Sequence, residues 1–128
     1  RFWEIVLFSW ITGNSDMHCK NFSLIDTGKG EYVLSPAYDL LAVLLVDTED
    51  TDEMAMSFTV GGKKSGFSRN TLLTAFTQSG VSAAVAEKMI ERMKGYVPQW
   101  KELVRQSFLS KKMKENYSIL LDKRIAVL

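Results

Sequence analysis

Three polar residues carry the strongest chemical signal in this sequence: Asp16, Asn21 five positions later, and Asp39 in a separate turn. They fall within Gly13-Asn14-Ser15-Asp16-Met17-His18-Cys19-Lys20-Asn21-Phe22 and Ala37-Tyr38-Asp39-Leu40. A carboxylate, an amide and a second carboxylate are what a phosphoryl-transfer site asks of its protein, since that reaction needs charge placement and little covalent chemistry. In this reading Asp16 accepts, or at least orients, the proton of the attacking hydroxyl. Asn21, through its amide oxygen, and Asp39 are the expected Mg²⁺ ligands, hard oxygen donors that hold the ion against the nucleotide phosphates. The Asp-to-Asn spacing equals that in the protein-kinase catalytic loop H-R-D-x-x-x-x-N. The Arg of that loop is missing, and its His stands two residues after the Asp.

Other residues of the loop carry weaker signals. Lys20 can serve as a point charge for a phosphate or simply be a surface lysine. His18 sits inside the loop; it joins Lys20 as a candidate for nucleotide contact, although a lone His is more often a structural hydrogen-bonding residue. Cys19 reads as a small, buried or half-buried residue without chemistry. Taken singly, the three main candidates also have plain explanations. Asp16 fits an Asx-turn or helix cap, Asn21 a turn, and Asp39, three residues after Pro36, a first-turn acid favoured by the helix dipole. Their combination favours the phosphoryl-transfer reading. Gly61-Gly62-Lys63-Lys64-Ser65 is not a P-loop, because Lys64 follows Lys63 where Ser or Thr is required and Ser57 stands where the first Gly belongs.

The elements that must position these residues follow from periodicity. Phe2 to Thr12 reads as a helix that is apolar almost all round and so needs cover on several sides. Gly13-Asn14-Ser15 ends it in a turn. Phe22 to Ile25 and Glu31 to Leu34 read as strands joined by Asp26-Thr27-Gly28-Lys29-Gly30, a hairpin that can return Asp39 to the end of the sheet where Asn21 lies. Leu40 to Val46 is an apolar run too short to type. Asp47 to Glu53 holds five acids in seven residues, read as a solvated loop with a cation site as the minority reading. Met54 to Val60 alternates like a half-buried strand, closed by Gly61-Gly62. A helix opening at Ser68 or Asn70 runs to Gly80, a natural C′ residue. Ser82 caps the next, which Val97-Pro98 breaks. Pro98 then opens another to about Leu109, and Ser110 leads into a last one carrying Met113, Tyr117, Leu120, Leu121, Ile125 and Leu128 on one stripe. The expected fold is mainly α with a small β-hairpin, an α+β arrangement, in one domain spanning 1–128.

Bulk properties remove several function classes. A net charge of +1 gives no whole-domain reason to expect direct nucleic-acid binding. No apolar run is long enough to span a bilayer. One Cys and one His rule out an internal disulfide, a Cys-rich metal cluster and a multi-His zinc site. The chain is expected to be reduced and cytoplasmic. It begins with Arg1-Phe2-Trp3-Glu4, without Met, without a signal peptide and directly inside a helical pattern, so residues are expected upstream.

The residues Gly13 to Leu24, Leu34-Ser35-Pro36-Ala37-Tyr38-Asp39-Leu40, and Met54-Ala55-Met56 with Gly61-Gly62-Lys63 resemble the C-terminal domain of HipA proteins. These are bacterial serine/threonine kinases that act as toxins in toxin–antitoxin modules. The resemblance covers most of the chain and is strongest over residues 1–65. It implies the helical C-terminal lobe of a protein-kinase-like fold. It also implies that Asp16 matches the catalytic Asp, Asn21 the metal-binding Asn, and Asp39 the second metal-binding Asp, with ATP and Mg²⁺ as cofactors. The implied partners are an N-terminal kinase lobe absent from these 128 residues, a helix-turn-helix antitoxin, and a protein substrate such as an aminoacyl-tRNA synthetase. No membrane partner is implied. Without the other lobe the chain is expected to be inactive, to expose apolar surface near Phe2, Trp3 and Phe22, and to self-associate. Two alternatives stay open: a lobe of a small-molecule or lipid kinase, and a non-catalytic helical binding module that kept the loop for its fold.

Overall fold

The computed structural model describes residues 1–46 and 65–128. The acidic run 47–53, the alternating segment 54–60 and the Gly-Gly-Lys-Lys turn at 61–64 lie outside the described residues. In chain order the elements are helix α1 (Phe2–Thr12), a 3₁₀ turn (Cys19–Asn21), strands β1 (Leu24–Asp26) and β2 (Tyr32–Leu34), a second 3₁₀ turn (Val43–Leu45), and helices α2 (Arg69–Gln78), α3 (Ala83–Gln106) and α4 (Lys111–Val127).

The apolar helix α1 is the centre of the packing. Val6, Leu7, Trp10 and Ile11 are buried, and the helix lies against both α3 and α4. The core continues through Leu72 and Phe76 of α2, Ala86, Ile90, Met93 and Val97 of α3, and Leu121 of α4. Leu120, on the apolar stripe read from the sequence, is only half-buried, as is Leu73 of α2. Aromatic edges close the gaps. Phe8 of α1 meets Trp100 of α3 with ring centroids 5.2 Å apart, and Trp3 meets Phe76 at 4.8 Å, separations at which ring pairs attract beyond their area burial. Tyr117 of α4 is hydrogen-bonded to Thr12, and burial pushes its phenol above the ordinary range.

Local chemistry sets the helix ends where the sequence placed them. The hydroxyls of Ser68, Ser82 and Ser110 accept hydrogen bonds from the backbone N–H groups of Thr71, Val85 and Met113, the N-cap pattern. At the end of α2, Gly80 takes φ 90°, and the Val81 N–H reaches the Phe76 carbonyl at 3.0 Å, a Schellman closure.

Pro98 does not break the chain into two helices. Helix α3 runs unbroken from Ala83 to Gln106 with Pro98 inside it. A proline costs the helix one N–H donor and a clash with the turn before it. Here the same apolar face continues on both sides of it, from Met89, Ile90 and Met93 through buried Val97 to Trp100 on Phe8. Packing of that face into the helical core overrides the local penalty.

The strands pair antiparallel with Leu24 opposite Leu34, Ile25 opposite Val33 and Asp26 opposite Tyr32. They begin later than the apolar pattern suggested, with Phe22 outside and Asp26 inside the ladder, and the five-residue connection becomes 27–31. Leu24, Ile25, Tyr32 and Val33 are all exposed. Of the residues expected at an apolar surface, Phe2 is exposed, and the hairpin that follows Phe22 adds Leu24, Ile25, Tyr32 and Val33. Trp3 and Phe22 are half-buried, and the Phe22 ring lies against Phe2 at 4.8 Å. The apolar run after Asp39 forms the second 3₁₀ turn, which lies against α4. Among the described residues, no helix is long and apolar enough to cross a membrane.

Gly13 ends α1 in the left-handed region at φ 80°, and a Cβ built there would stand 2.6 Å from Leu120 Cδ2. A side chain at position 13 strains the backbone and displaces that methyl group. Gly13→Ala is expected to lower the unfolding free energy by about 1–3 kcal/mol. Urea denaturation of the 128-residue chain checks this, and an unchanged midpoint contradicts it.

Candidate active site

The site is built from the end of α1, the loop that follows it, and the Tyr38-Asp39 turn on the far side of the hairpin. Gly13 closes α1 with its N–H on the Trp10 carbonyl, and the Asn14 N–H reaches back to the Ser9 carbonyl at 2.9 Å. The chain then enters the loop with Asn14 and Ser15 buried, Asp16 exposed and Met17 buried. The buried neighbours on both sides of Asp16 anchor its backbone. Its carboxylate faces solvent, and among the described residues no group donates a hydrogen bond to it.

The loop ends in the first 3₁₀ turn. The Asn21 side chain is 6% exposed and is used at both ends. Its Oδ1 accepts the His18 backbone N–H at 2.9 Å, and its Nδ2 donates to Asp39 Oδ2 at 2.6 Å. That second bond joins residues 18 apart in sequence. Two more links run between loop and turn. Asn14 Nδ2 donates to the Asp39 carbonyl at 3.2 Å, and the Tyr38 hydroxyl donates to the Lys20 carbonyl at 2.9 Å. Asp39 itself takes φ 55°, the one non-glycine positive φ among the described residues. Asp is one of the few residue types that tolerate that region.

Asn21 and Asp39 are thus in direct contact, and Asp16 lies in the stretch between Asn14 and Asn21, both of which grip Asp39. Lys20 is exposed; its carbonyl is engaged and its ammonium is available to an anion. His18 is half-buried, and among the described residues its Nδ1 has no hydrogen-bond partner. Cys19 is exposed, contrary to the burial expected of it, because the 3₁₀ turn directs Asn21 inward and leaves positions 19 and 20 outside. Asn14 and Tyr38 went unassigned by sequence reasoning, which treated Asn14 as a turn residue. Their roles depend on a contact across 25 and 18 positions respectively, and no local pattern reports such a contact.

The donor set suits Mg²⁺. That ion is held by one or two carboxylates plus substrate phosphates and keeps several waters. Asp39 offers a carboxylate, of which one oxygen is hydrogen-bonded to Asn21. The Asn21 carbonyl oxygen keeps a second lone pair beyond the one used by His18.

A helical body carrying a small hairpin, with a catalytic-type loop and an acidic turn joined at its edge, is the helical lobe of a protein-kinase-like fold. The family can be stated more closely. A family model described as the HipA-like C-terminal domain matches residues 1–100, and the chain belongs to that family. Over 86 residues it is 36% identical to the "Putative kinase Y4dM" of Sinorhizobium fredii, an alignment covering 66% of this chain and 20% of that protein. Its fold is similar to a chain in the solved complex of the Shewanella oneidensis MR-1 toxin–antitoxin system HipA, HipB and its operator DNA. There the TM-score is 0.79 at 21% identity, over 96% of this chain and 30% of that one. The chain therefore spans about a fifth of the length of the curated relative.

Asn21 satisfies the His18 N–H and the Asp39 carboxylate at once. Asn21→Ala is expected to cost about 1–2 kcal/mol of stability, because a half-buried N–H loses its partner. Lys20→Ala, at an exposed neighbour, should stay within about 0.5 kcal/mol. Chemical denaturation of the two variants side by side checks the contrast, and equal midpoints contradict it.

Proposed function

We propose that this chain is the catalytic-loop and metal-holding lobe of an ATP-dependent serine/threonine protein kinase. One observation carries the reading: the Asn21 amide and the Asp39 carboxylate, 18 positions apart, meet at 2.6 Å at the end of the loop that presents Asp16 to solvent. Membership of the HipA-like family and the kinase name of a relative support it.

In this reading the Asp16 carboxylate receives the substrate hydroxyl and takes its proton as the phosphoryl group moves. Its exposure leaves room for that hydroxyl. Asn21 and Asp39 would hold Mg²⁺ through oxygen atoms whose side chains the His18 N–H and the Asn21 amide keep in place. The chemistry the ion supplies when bound is neutralisation of charge on the nucleotide phosphates. Lys20 adds a positive charge at the loop surface, and His18 borders the same turn. The rest of the nucleotide site, a Gly-rich cover and a strand lysine, belongs to an N-terminal lobe. The 128 residues alone would then bind ATP poorly and not catalyse, since Mg²⁺ binds weakly to one or two carboxylates without phosphate.

A helix-turn-helix antitoxin is the proposed regulatory partner, by analogy with the HipB of the Shewanella complex. A cytoplasmic protein such as an aminoacyl-tRNA synthetase is the proposed substrate class. A small-molecule kinase would share the loop but not the protein acceptor.

In the full-length protein, Asp16→Asn is expected to leave ATP affinity within a few-fold and to cut turnover by roughly 10²-fold or more, the scale of a lost general base. Asp39→Ala is expected to abolish phosphoryl transfer and to weaken Mg²⁺-dependent ATP binding. Phosphate transfer from labelled ATP together with calorimetry checks both. Full turnover in Asp16→Asn, or unchanged Mg²⁺ dependence in Asp39→Ala, removes the residue from its role.

A further inference from the structure

We propose that Asn14 is a positioning residue, whose amide sets the backbone of Asp39 so that the Asp39 carboxylate meets Asn21. The functional consequence rests on reading Asp39 as a Mg²⁺ ligand; the structural claim does not.

Asn14 is 2% exposed. Its main chain is fixed by the closure of α1, through its N–H on the Ser9 carbonyl at 2.9 Å. Its side-chain Nδ2 donates to the Asp39 carbonyl at 3.2 Å. Asp39 is exposed, so burial does not hold it, yet it keeps φ 55°, a region that Asp tolerates but that costs an L residue energy relative to the extended one. Its carboxylate is tied to Asn21 at 2.6 Å. That bond fixes one oxygen of a side chain, and rotation about the backbone of residue 39 could still carry the carboxylate away. The Asn14 bond acts on the carbonyl, which turns with that backbone rotation. Two buried amides, one at each end of the loop, thus fix the main chain and the side chain of the same residue. The Tyr38 hydroxyl on the Lys20 carbonyl restrains the residue before it. A group that orients a metal ligand without touching the metal commonly changes affinity or activity by 10–100-fold when removed.

The test uses the full-length protein with aspartate-selective ¹³C labelling. Asn14→Leu keeps the volume and removes the donor, and Asp39→Ala serves as the companion variant. The Cα and Cβ shifts of residue 39 should move from the left-handed toward the extended range in Asn14→Leu. Half-saturating Mg²⁺ for ATP turnover should rise roughly tenfold, while the KM for ATP at saturating Mg²⁺ stays unchanged. Unmoved residue 39 shifts overturn the proposal. Shifts that move in Asn14→Leu while Asp39→Ala keeps wild-type Mg²⁺ dependence uphold the positioning role and overturn the kinase reading instead. Should Asn14→Leu fail to fold, Asn14→Asp, which keeps the size and loses the amide donor, carries the same readouts with the same outcomes.

Discussion

The hydrogen bond from Asn21 Nδ2 to Asp39 Oδ2 is the constraint on which the site depends. It closes a circuit that leaves the loop at Asn21, runs out and back along the hairpin, and returns at Asp39. A carboxylate acceptor makes it one of the stronger kinds of hydrogen bond. An exposed carboxylate would make a poor fixed point if that bond stood alone. It is held because Asn21 is buried and is itself fixed by the His18 N–H, and because Asn14 fixes the Asp39 carbonyl.

The helical body explains how so small a site can be rigid. Helix α1 is covered by α3 and α4 and carries no exposed polar face to loosen it. Its last turn, closed by Gly13, is where the loop begins, so the loop inherits its position from the most buried element of the fold. Helix α4 reaches the same place from the other side. Leu120 approaches Gly13, and the 3₁₀ turn after Asp39 lies against α4, with the Leu44 N–H on the Gly13 carbonyl at 3.2 Å. A substitution in α4 near Leu120 would therefore be felt at the loop without touching it. The hairpin contrasts with this body. Its apolar residues are exposed on a sheet of two strands.

Much of this was legible in the sequence because the deciding physics is local. A run of apolar residues from Phe2, a glycine after Thr12, and serines ahead of helical stripes state the helix and its ends within a few positions. The loop signal was equally local, since Asp16 and Asn21 are five apart. The pairing of Asn21 with Asp39 could be expected from the hairpin between them, because antiparallel strands return the chain to where it left. What escaped depended on distant partners. Pro98 read as a break because proline's penalty is local, while the burial of Val97 in the core and the packing of Trp100 on Phe8 that override it come from distant parts of the chain. Cys19 read as buried because cysteine usually is, and only the direction of one 3₁₀ turn decides otherwise. Asn14 read as a turn residue because its acceptor, the Asp39 carbonyl, lies 25 positions away.

The central claim is that Asn21 and Asp39 meet in order to hold a metal ion against a nucleotide. The most direct measurement is a crystal structure of the full-length protein with Mg²⁺ and a non-hydrolysable ATP analogue. The account predicts a Mg²⁺ ion held by an Asp39 carboxylate oxygen and by Asn21 Oδ1, in contact with nucleotide phosphate oxygens and keeping its remaining waters. It also predicts the Asp16 carboxylate within hydrogen-bond reach of where an acceptor hydroxyl would lie, about 3 Å. A nucleotide bound elsewhere, or a metal that bypasses both Asn21 and Asp39, would contradict it.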